Sequence, residues 1–176
     1  TVLLWGVILS IEAKRRYIDS RTKKLKNSIL RADSDVLPDE FKNIKEFKAS
    51  FGNTNHFKTN FQGYNIYINV KYAFEHFINN TNKEIRKYLN ATIIPTLTNP
   101  LIVIKEIYKD KNALTFYKPF YDNNNENKLI HVAMYKLLED SDGYYKYKTI
   151  FELASLDKVD KIINTANYNT VYFKFD

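Results

Sequence analysis

Four apolar and aromatic runs follow one another in the C-terminal three-fifths of the chain, at 101–108, 113–121, 128–138 and 143–153. Only the polar breaks 109–112, 122–127 and 139–142 separate them. Runs of this length, joined by breaks of hairpin length, predict strands of one antiparallel meander. Upstream, 64–69 sets Tyr64, Ile66 and Ile68 against Asn65, Tyr67 and Asn69, the period-two pattern of an edge strand. From Val70 the period becomes helical, with Val70, Ala73, Phe74, Phe77 and Ile78 on one stripe. Asn79 and Asn80 interrupt it, and Thr81 to Glu84 has capping-box spacing. A second helix is predicted there, carrying Ile85, Tyr88, Leu89 and Ile93 inward until Pro95 kinks or ends it. After the fourth strand, 155–163 reads as a short helix with Leu156, Val159, Ile162 and Ile163 inward, and 171–175 closes the sheet.

The first third of the chain is patterned differently. Residues 10–32 predict a charged helix with Ile11, Ile18, Leu25, Ile29 and Leu30 on one stripe and eight Lys or Arg residues around it. Such a helix serves either as a basic arm or as a solvated linker. A break comes next at Asp33, Ser34, Asp35 and Pro38, then a short helix over 39–49 and a polar loop over 51–62. The expected fold class is therefore α+β, with helices packed on one face of a four- to five-stranded antiparallel sheet. An N-terminal basic helical extension or linker, 1–62, precedes a domain at 63–176.

The chain has 176 residues, of which 44% are apolar, enough for one core. The formal net charge of +7 favours a polyanionic partner, nucleic acid before an anionic membrane. With no cysteine and three histidines, disulfides, cysteine-metal sites and most zinc sites are excluded. No phosphate-cradling glycine loop, nucleophile elbow or helical histidine pair occurs, and four glycines argue against a nucleotide-cofactor fold. The apolar stretch 2–11 is shorter than the about 20 residues that span a bilayer. Its basic residues Lys14, Arg15 and Arg16 come after it, the reverse of a secretory signal, so membrane contact by this segment is not expected. Thr1 in place of an initiator Met leads to the expectation of a piece of something longer.

The order of two helices, then Thr98 to Ile104, then Phe116-Tyr117-Lys118-Pro119-Phe120, then a strand with His131, then Tyr145-Lys146-Tyr147-Lys148-Thr149, resembles one group. It is similar to the barnase, EndoU, colicin and RelE-like endoribonucleases of phages and other mobile elements, over roughly 63–176. The resemblance implies an α+β fold, metal-independent RNA cleavage without a cofactor, and a toxin or effector domain of a larger polypeptide. RNA, tRNA included, and a cognate inhibitor protein would be the partners. The setting would be cytoplasmic, or delivery into a target cell. Catalytic residues differ among members, so no complete active site is carried over. The strand lysines, the first-helix histidine and the Lys148-Thr149 pair match positions where polar residues recur in the group.

Metal-free RNA cleavage needs a base for the 2′-hydroxyl, an acid for the leaving oxygen and cations for the phosphorane. His76, off the apolar stripe of the first helix, is the candidate base or acid; its alternative is a surface histidine near Glu75. Lys118 and Lys148 are the candidate phosphate and transition-state contacts, with Thr149 orienting the scissile phosphate. Arg86, Lys105, Lys146, Tyr147 and His131 complete an RNA-binding set. His131 shares its strand face with Leu129, Ala133 and Tyr135, which also fits a buried structural histidine. Period-two alternation puts Lys146, Lys148 and Glu152 on one face of the fourth strand and Tyr145, Tyr147, Thr149 and Phe151 on the other. Tyr72, Tyr117 and Tyr147 are candidates for base stacking. His56, in a Gly/Asn-rich loop outside the resemblance, is given no role. A non-catalytic nucleic-acid-binding or protein-interaction module on the same fold is the competing reading. ADP-ribosyl transfer is a third, against which the strands lack the Arg, Ser-Thr-Ser, Glu arrangement.

Overall fold

A computed structural model describes residues 19, 21–22, 26, 33–60, 62–79, 87–165 and 168–173. Within them one sheet of nine strands carries helices on both faces. The strands are β1 (Asp35–Val36), β2 (His56–Lys58), β3 (Asn65–Tyr67), β4 (Ile102–Tyr108), β5 (Lys111–Asp122), β6 (Asn125–Glu139), β7 (Tyr145–Lys146), β8 (Ile150–Leu153) and β9 (Tyr168–Phe173). The helices are α1 (Ile44–Ser50), α2 (Val70–Asn79), α3 (Ile93–Thr98) and α4 (Leu156–Thr165), with a 3-10 turn at Lys87–Leu89. The spatial order is β2-β3-β7-β6-β5-β4-β9, with β8 also on β6 and β1 also on β5.

The α+β class holds, and three details differ from the expectation. The sheet is mixed, because β3 pairs β7 and β1 pairs β5 in parallel. It has nine strands rather than four or five, since β1 and β2 come from a break and a polar loop. Helix α4 lies on the face opposite α1, α2 and α3, so the helices do not share one side. Residues 35–58, placed by sequence in the extension, supply two strands and helix α1, whose Phe47 is fully buried. Strand β3 is interior, between β2 and β7, rather than an edge. The predicted basic helix 10–32 lies outside the described residues, apart from Asp19, Arg21, Thr22 and Lys26.

The first core is aromatic and lies on the side that we call the inner face. Phe47 meets Phe41, Phe51, Phe74 and Phe77 with ring centroids 5.1 to 6.3 Å apart, over Ile66, Val103, Leu114, Phe116, Val132 and Met134 of the sheet. Val70, Ala73, Phe74 and Phe77 of α2 are buried there as their spacing requires. The helix predicted to run from Thr81 starts outside the described residues. Its described part is interrupted at Asn90–Ala91, and α3 begins at Ile93, so Pro95 occupies the first turn, where no N–H is needed. Asn90 has a reason to stand at that break. Buried, it accepts from Phe41 N at 2.7 Å and donates to Phe41 O at 2.9 Å, which ties the α1 approach to the α3 approach. The second core, on the outer face, joins Val159, Leu156 and Ile162 of α4 to Ile102, Ile104, Tyr117, Ala133 and Leu153.

The β4–β5 hairpin turns through Lys109 and Asp110, both at positive φ, the two-residue geometry that matches strand twist. In β6 the alternation is interrupted. Leu114 pairs Leu137 and Phe116 pairs Met134, so Thr115 faces two residues, Tyr135 and Lys136. Lys136 takes φ +50° and its N–H donates to Thr115 Oγ1 at 3.1 Å, which marks a β-bulge. Strands β7 and β8 stay in continuous register with β6 on its other edge, Lys146 on Leu138 and Ile150 on Met134. Since the bulge inverts the faces of β6, the fourth run must invert too. It breaks at 147–149, which is why it forms two short strands.

Lys118 ties the end of the sheet to its neighbours. Its side chain is 1% exposed; Nζ donates to Asn99 O at 2.6 Å, at the C-terminal end of α3, and lies 2.8 Å from Asp35 Oδ2 in β1. Asp35→Ala removes the counter-ion of a lysine closed to solvent. It should cost about 1–3 kcal/mol, less than a fully buried pair because Asp35 is 54% exposed. Urea unfolding should show a lower midpoint at unchanged slope; an unchanged midpoint would mean that Asp35 is not needed to hold the ammonium.

Candidate nucleic-acid interface

The expected catalytic residues lie in three different settings. His76 is half-exposed on the last turn of α2, its ring stacked at 6.2 Å on Tyr72, which is 62% exposed. Lys118 is buried, with its ammonium engaged by Asp35 and Asn99. Lys148 is exposed and Thr149 half-buried in the 147–149 link. Of these, the Lys118 ammonium is closed to solvent and so not open to a phosphate.

The binding set is also divided. Lys105 alternates with Val103 toward the inner face. Tyr147 packs against the inner core and donates its N–H to Tyr67 O at 2.9 Å. Lys146 is exposed on the outer face, opposite Leu138. Glu152, expected beside the lysines, sits opposite Val132 on the inner face and accepts the Tyr88 hydroxyl. Burial and that carboxylate push the Tyr88 phenol up. Arg86 lies outside the described residues.

His131 belongs to the outer core. Its Nδ1 and the Tyr117 hydroxyl share a 2.7 Å hydrogen bond, with the rings near parallel at 6.0 Å. Burial pushes the imidazole down and, with the Asp160 carboxylate, pushes the Tyr117 phenol up. Both groups are thereby held neutral beneath α4, the structural role that the strand pattern also allowed.

A different set converges on the outer face. Register places His56 beside Tyr67 and Tyr67 beside Lys146, in a row across β2, β3 and β7. The exposed His56 ring lies 5.6 Å from Tyr67 and 4.9 Å from Tyr144. Asp140 holds this corner: Oδ1 accepts from Asp142 N and Tyr144 N, and Oδ2 is 3.8 Å from Lys146 Nζ. Lys58 and Asn65, two residues along from His56 and Tyr67, are also exposed on this side. The inner-facing partners Phe57, Ile66 and Tyr145 pack on the aromatic core. Burial, together with a hydrogen bond to Glu139, pushes the Tyr145 phenol up.

A second cluster stands across β6. The bulge turns Tyr135 and Lys136 together to the outer face. There Lys136 Nζ is 3.8 Å from the Tyr108 ring centroid, 5.0 Å from that of Tyr135 and 3.8 Å from the buried Glu106 carboxylate. Tyr135 meets Phe151 edge-on at 6.1 Å. The outer core formed under α4 takes in Ala133, Phe151 and Leu153, and reaches the second cluster where Phe151 meets Tyr135. Apart from Lys146, sequence reasoning missed this set, because His56 reads as a loop residue, and the bulge that aims Lys136 leaves no mark in a simple alternation count.

Among the described residues no group of three or more His, Asp or Glu is placed to hold a metal, and no helix is long and apolar enough to cross a membrane. No family model, curated protein or solved structure matches this chain.

The depressed imidazole of His131 fixes a pH dependence of stability. The unfolded chain binds this proton near 6.5 and the folded chain only at lower pH, so the contribution is complete above about 6.5 and lost as pH falls below it. Urea midpoints should fall between about pH 7.5 and 5.5, and His131→Phe should flatten that part of the profile. An equal fall in the variant would assign the effect to another group.

Proposed function

We propose that this protein binds RNA across the open half of its outer sheet face. The observation that carries the reading is the row His56, Tyr67 and Lys146, flanked by Tyr144 and continued by Lys136 over Tyr108 and Tyr135. Aromatic faces interleaved with cations on an uncovered sheet supply stacking for bases and charge for phosphates, the two terms that hold a single strand. The net charge of +7 supports the same partner.

His56 supports a catalytic reading at the same place. It is an exposed imidazole two strand spacings from Lys146, roughly 10 Å between backbones, a span that a lysine side chain and one phosphodiester bridge. The imidazole would take the 2′-hydroxyl proton as the 2′-oxygen attacks phosphorus. As the P–O5′ bond breaks, the 5′-oxygen takes a proton from water, which the imidazolium restores, giving a 2′,3′-cyclic phosphate and a 5′-hydroxyl. Lys146 would stabilise the charge on the phosphorane. In this form the endoribonuclease expected from the sequence persists with a different base.

Labelled RNA titrated at rising salt tests the binding. Affinity should fall linearly in log-log form; Lys146→Ala should reduce the slope by about 1, and Lys136→Ala, at a less exposed ammonium, by less. An affinity indifferent to salt would point to a protein or small-molecule partner.

Cleavage is tested with EDTA present. Product carrying a 2′,3′-cyclic phosphate should form, and His56→Ala should slow it on the order of a hundredfold. A loss at His76→Ala with His56→Ala active would return the base to α2. No cleavage by the parent would leave the binding module alone.

A further inference from the structure

We infer that the RNA taken by this face is single-stranded, held by unpaired bases at two separate stations, one at β2, β3 and the turn before β7 and the other at β4 and β6; this rests on the RNA-binding reading and names its substrate class. The first station is His56, Tyr67 and Tyr144, and the second is Tyr108 and Tyr135 with Lys136 between them. Between the two, directly paired residues run in line across the strands from Lys146 through Leu138 to Ala113 and Glu106.

Three features select against a duplex. A duplex offers phosphates on its outside and keeps its base faces stacked within, so rings on the protein have nothing to stack on. A surface built for a duplex would need cations alone. Here two of the cations stand beside rings: Lys146 next to Tyr67 in register, and Lys136 over two tyrosines. At the first station His56 and Tyr67 sit on paired strands and Tyr144 N donates to Asp140 Oδ1, so little backbone ordering remains to be done on binding.

The stations also differ in a way that orders the polymer. Each ammonium lies 3.8 Å from a carboxylate, Lys146 from Asp140 and Lys136 from the nearly buried Glu106, but Lys146 is 60% exposed and Lys136 only 19%. A phosphate therefore meets a solvated cation at the first station and a largely enclosed one at the second. The first station should carry more of the salt dependence, and the second more of the stacking.

Fluorescence anisotropy with one oligonucleotide sequence, presented single-stranded and as a blunt duplex, tests this. The single strand should bind at least about tenfold more tightly, and Tyr67→Ala and Tyr135→Ala should each weaken it about tenfold without changing the salt slope. Tyr67→Phe, which keeps the ring, should restore binding. Near-parental circular dichroism would show that the alanine variants remain folded; if one does not, the other and the Phe variant carry the comparison. Duplex bound as tightly as single strand, with the alanine variants silent, would overturn the single-strand inference and leave charge-driven RNA binding in place. Failure of both nucleic acids to bind at any salt would overturn the binding reading itself.

Discussion

One extra residue in β6 sets the chemistry of the outer face. Thr115 faces both Tyr135 and Lys136, and the pairings on either side of them keep their inner-face partners, Met134 with Phe116 and Leu137 with Leu114. The core of the sheet is thus preserved across the bulge, while two consecutive side chains are sent outward in place of one. Lys136 accepts a positive φ that a residue other than glycine rarely adopts, and the Thr115 hydroxyl satisfies its N–H. The same inversion is imposed on the next strand through continuous register. Lys146 thereby comes to the outer face while Ile150 and Glu152 stay on the inner one. Remove the bulge, and the two clusters of the outer face no longer share a side.

Polar groups inside the molecule fix where its segments lie. Lys118 interrupts an apolar strand because it serves a helix C-terminus and the Asp35 carboxylate of β1. Asn90 is buried because its amide pairs with both backbone groups of Phe41. Tyr117 and His131 satisfy one another under α4. A buried polar group costs free energy unless paired, so each of these doubles as a constraint on neighbouring segments. None of these four side chains is open to a polyanion, which separates the residues that specify the fold from the exposed ones on the outer face.

Much of this fold was legible in the chain, and the boundary of what was legible has a physical cause. Local periodicity found β4, β5 and β6, the stripe of α2 and the helix after Ser155, because each depends on residues within one element. It missed β1 and β2, whose few residues become strands only by pairing with distant ones. Parallel pairing of β3 with β7, roughly 80 residues apart, has no local signature. The faces of the fourth strand came out wrong beyond the break because period-two counting assumes that no bulge intervenes. Among site residues, Lys118 drew attention for a sound reason, a cation within an apolar run, but the reason was packing. His56 was passed over because a histidine among Gly and Asn reads as loop, and its two tyrosine neighbours come from other parts of the sheet.

Among the described residues, α4 is the helix in the outer core, and its length bounds how much of that face it can cover. Seven strands lie side by side from β2 to β9, so the sheet is about 29 Å wide at strand spacings near 4.8 Å. Helix α4 has ten residues and is about 15 Å long. It packs where its apolar stripe meets β4, β5, β6 and β8. A sheet left uncovered beyond it with aliphatic side chains would invite association with other proteins. The chain places histidine, lysines and tyrosines there instead, residues that tolerate water and still present flat rings. That choice of side chains on an otherwise unneeded surface is the physical argument for an anionic, base-bearing occupant, and it stands whether or not the occupant is cut.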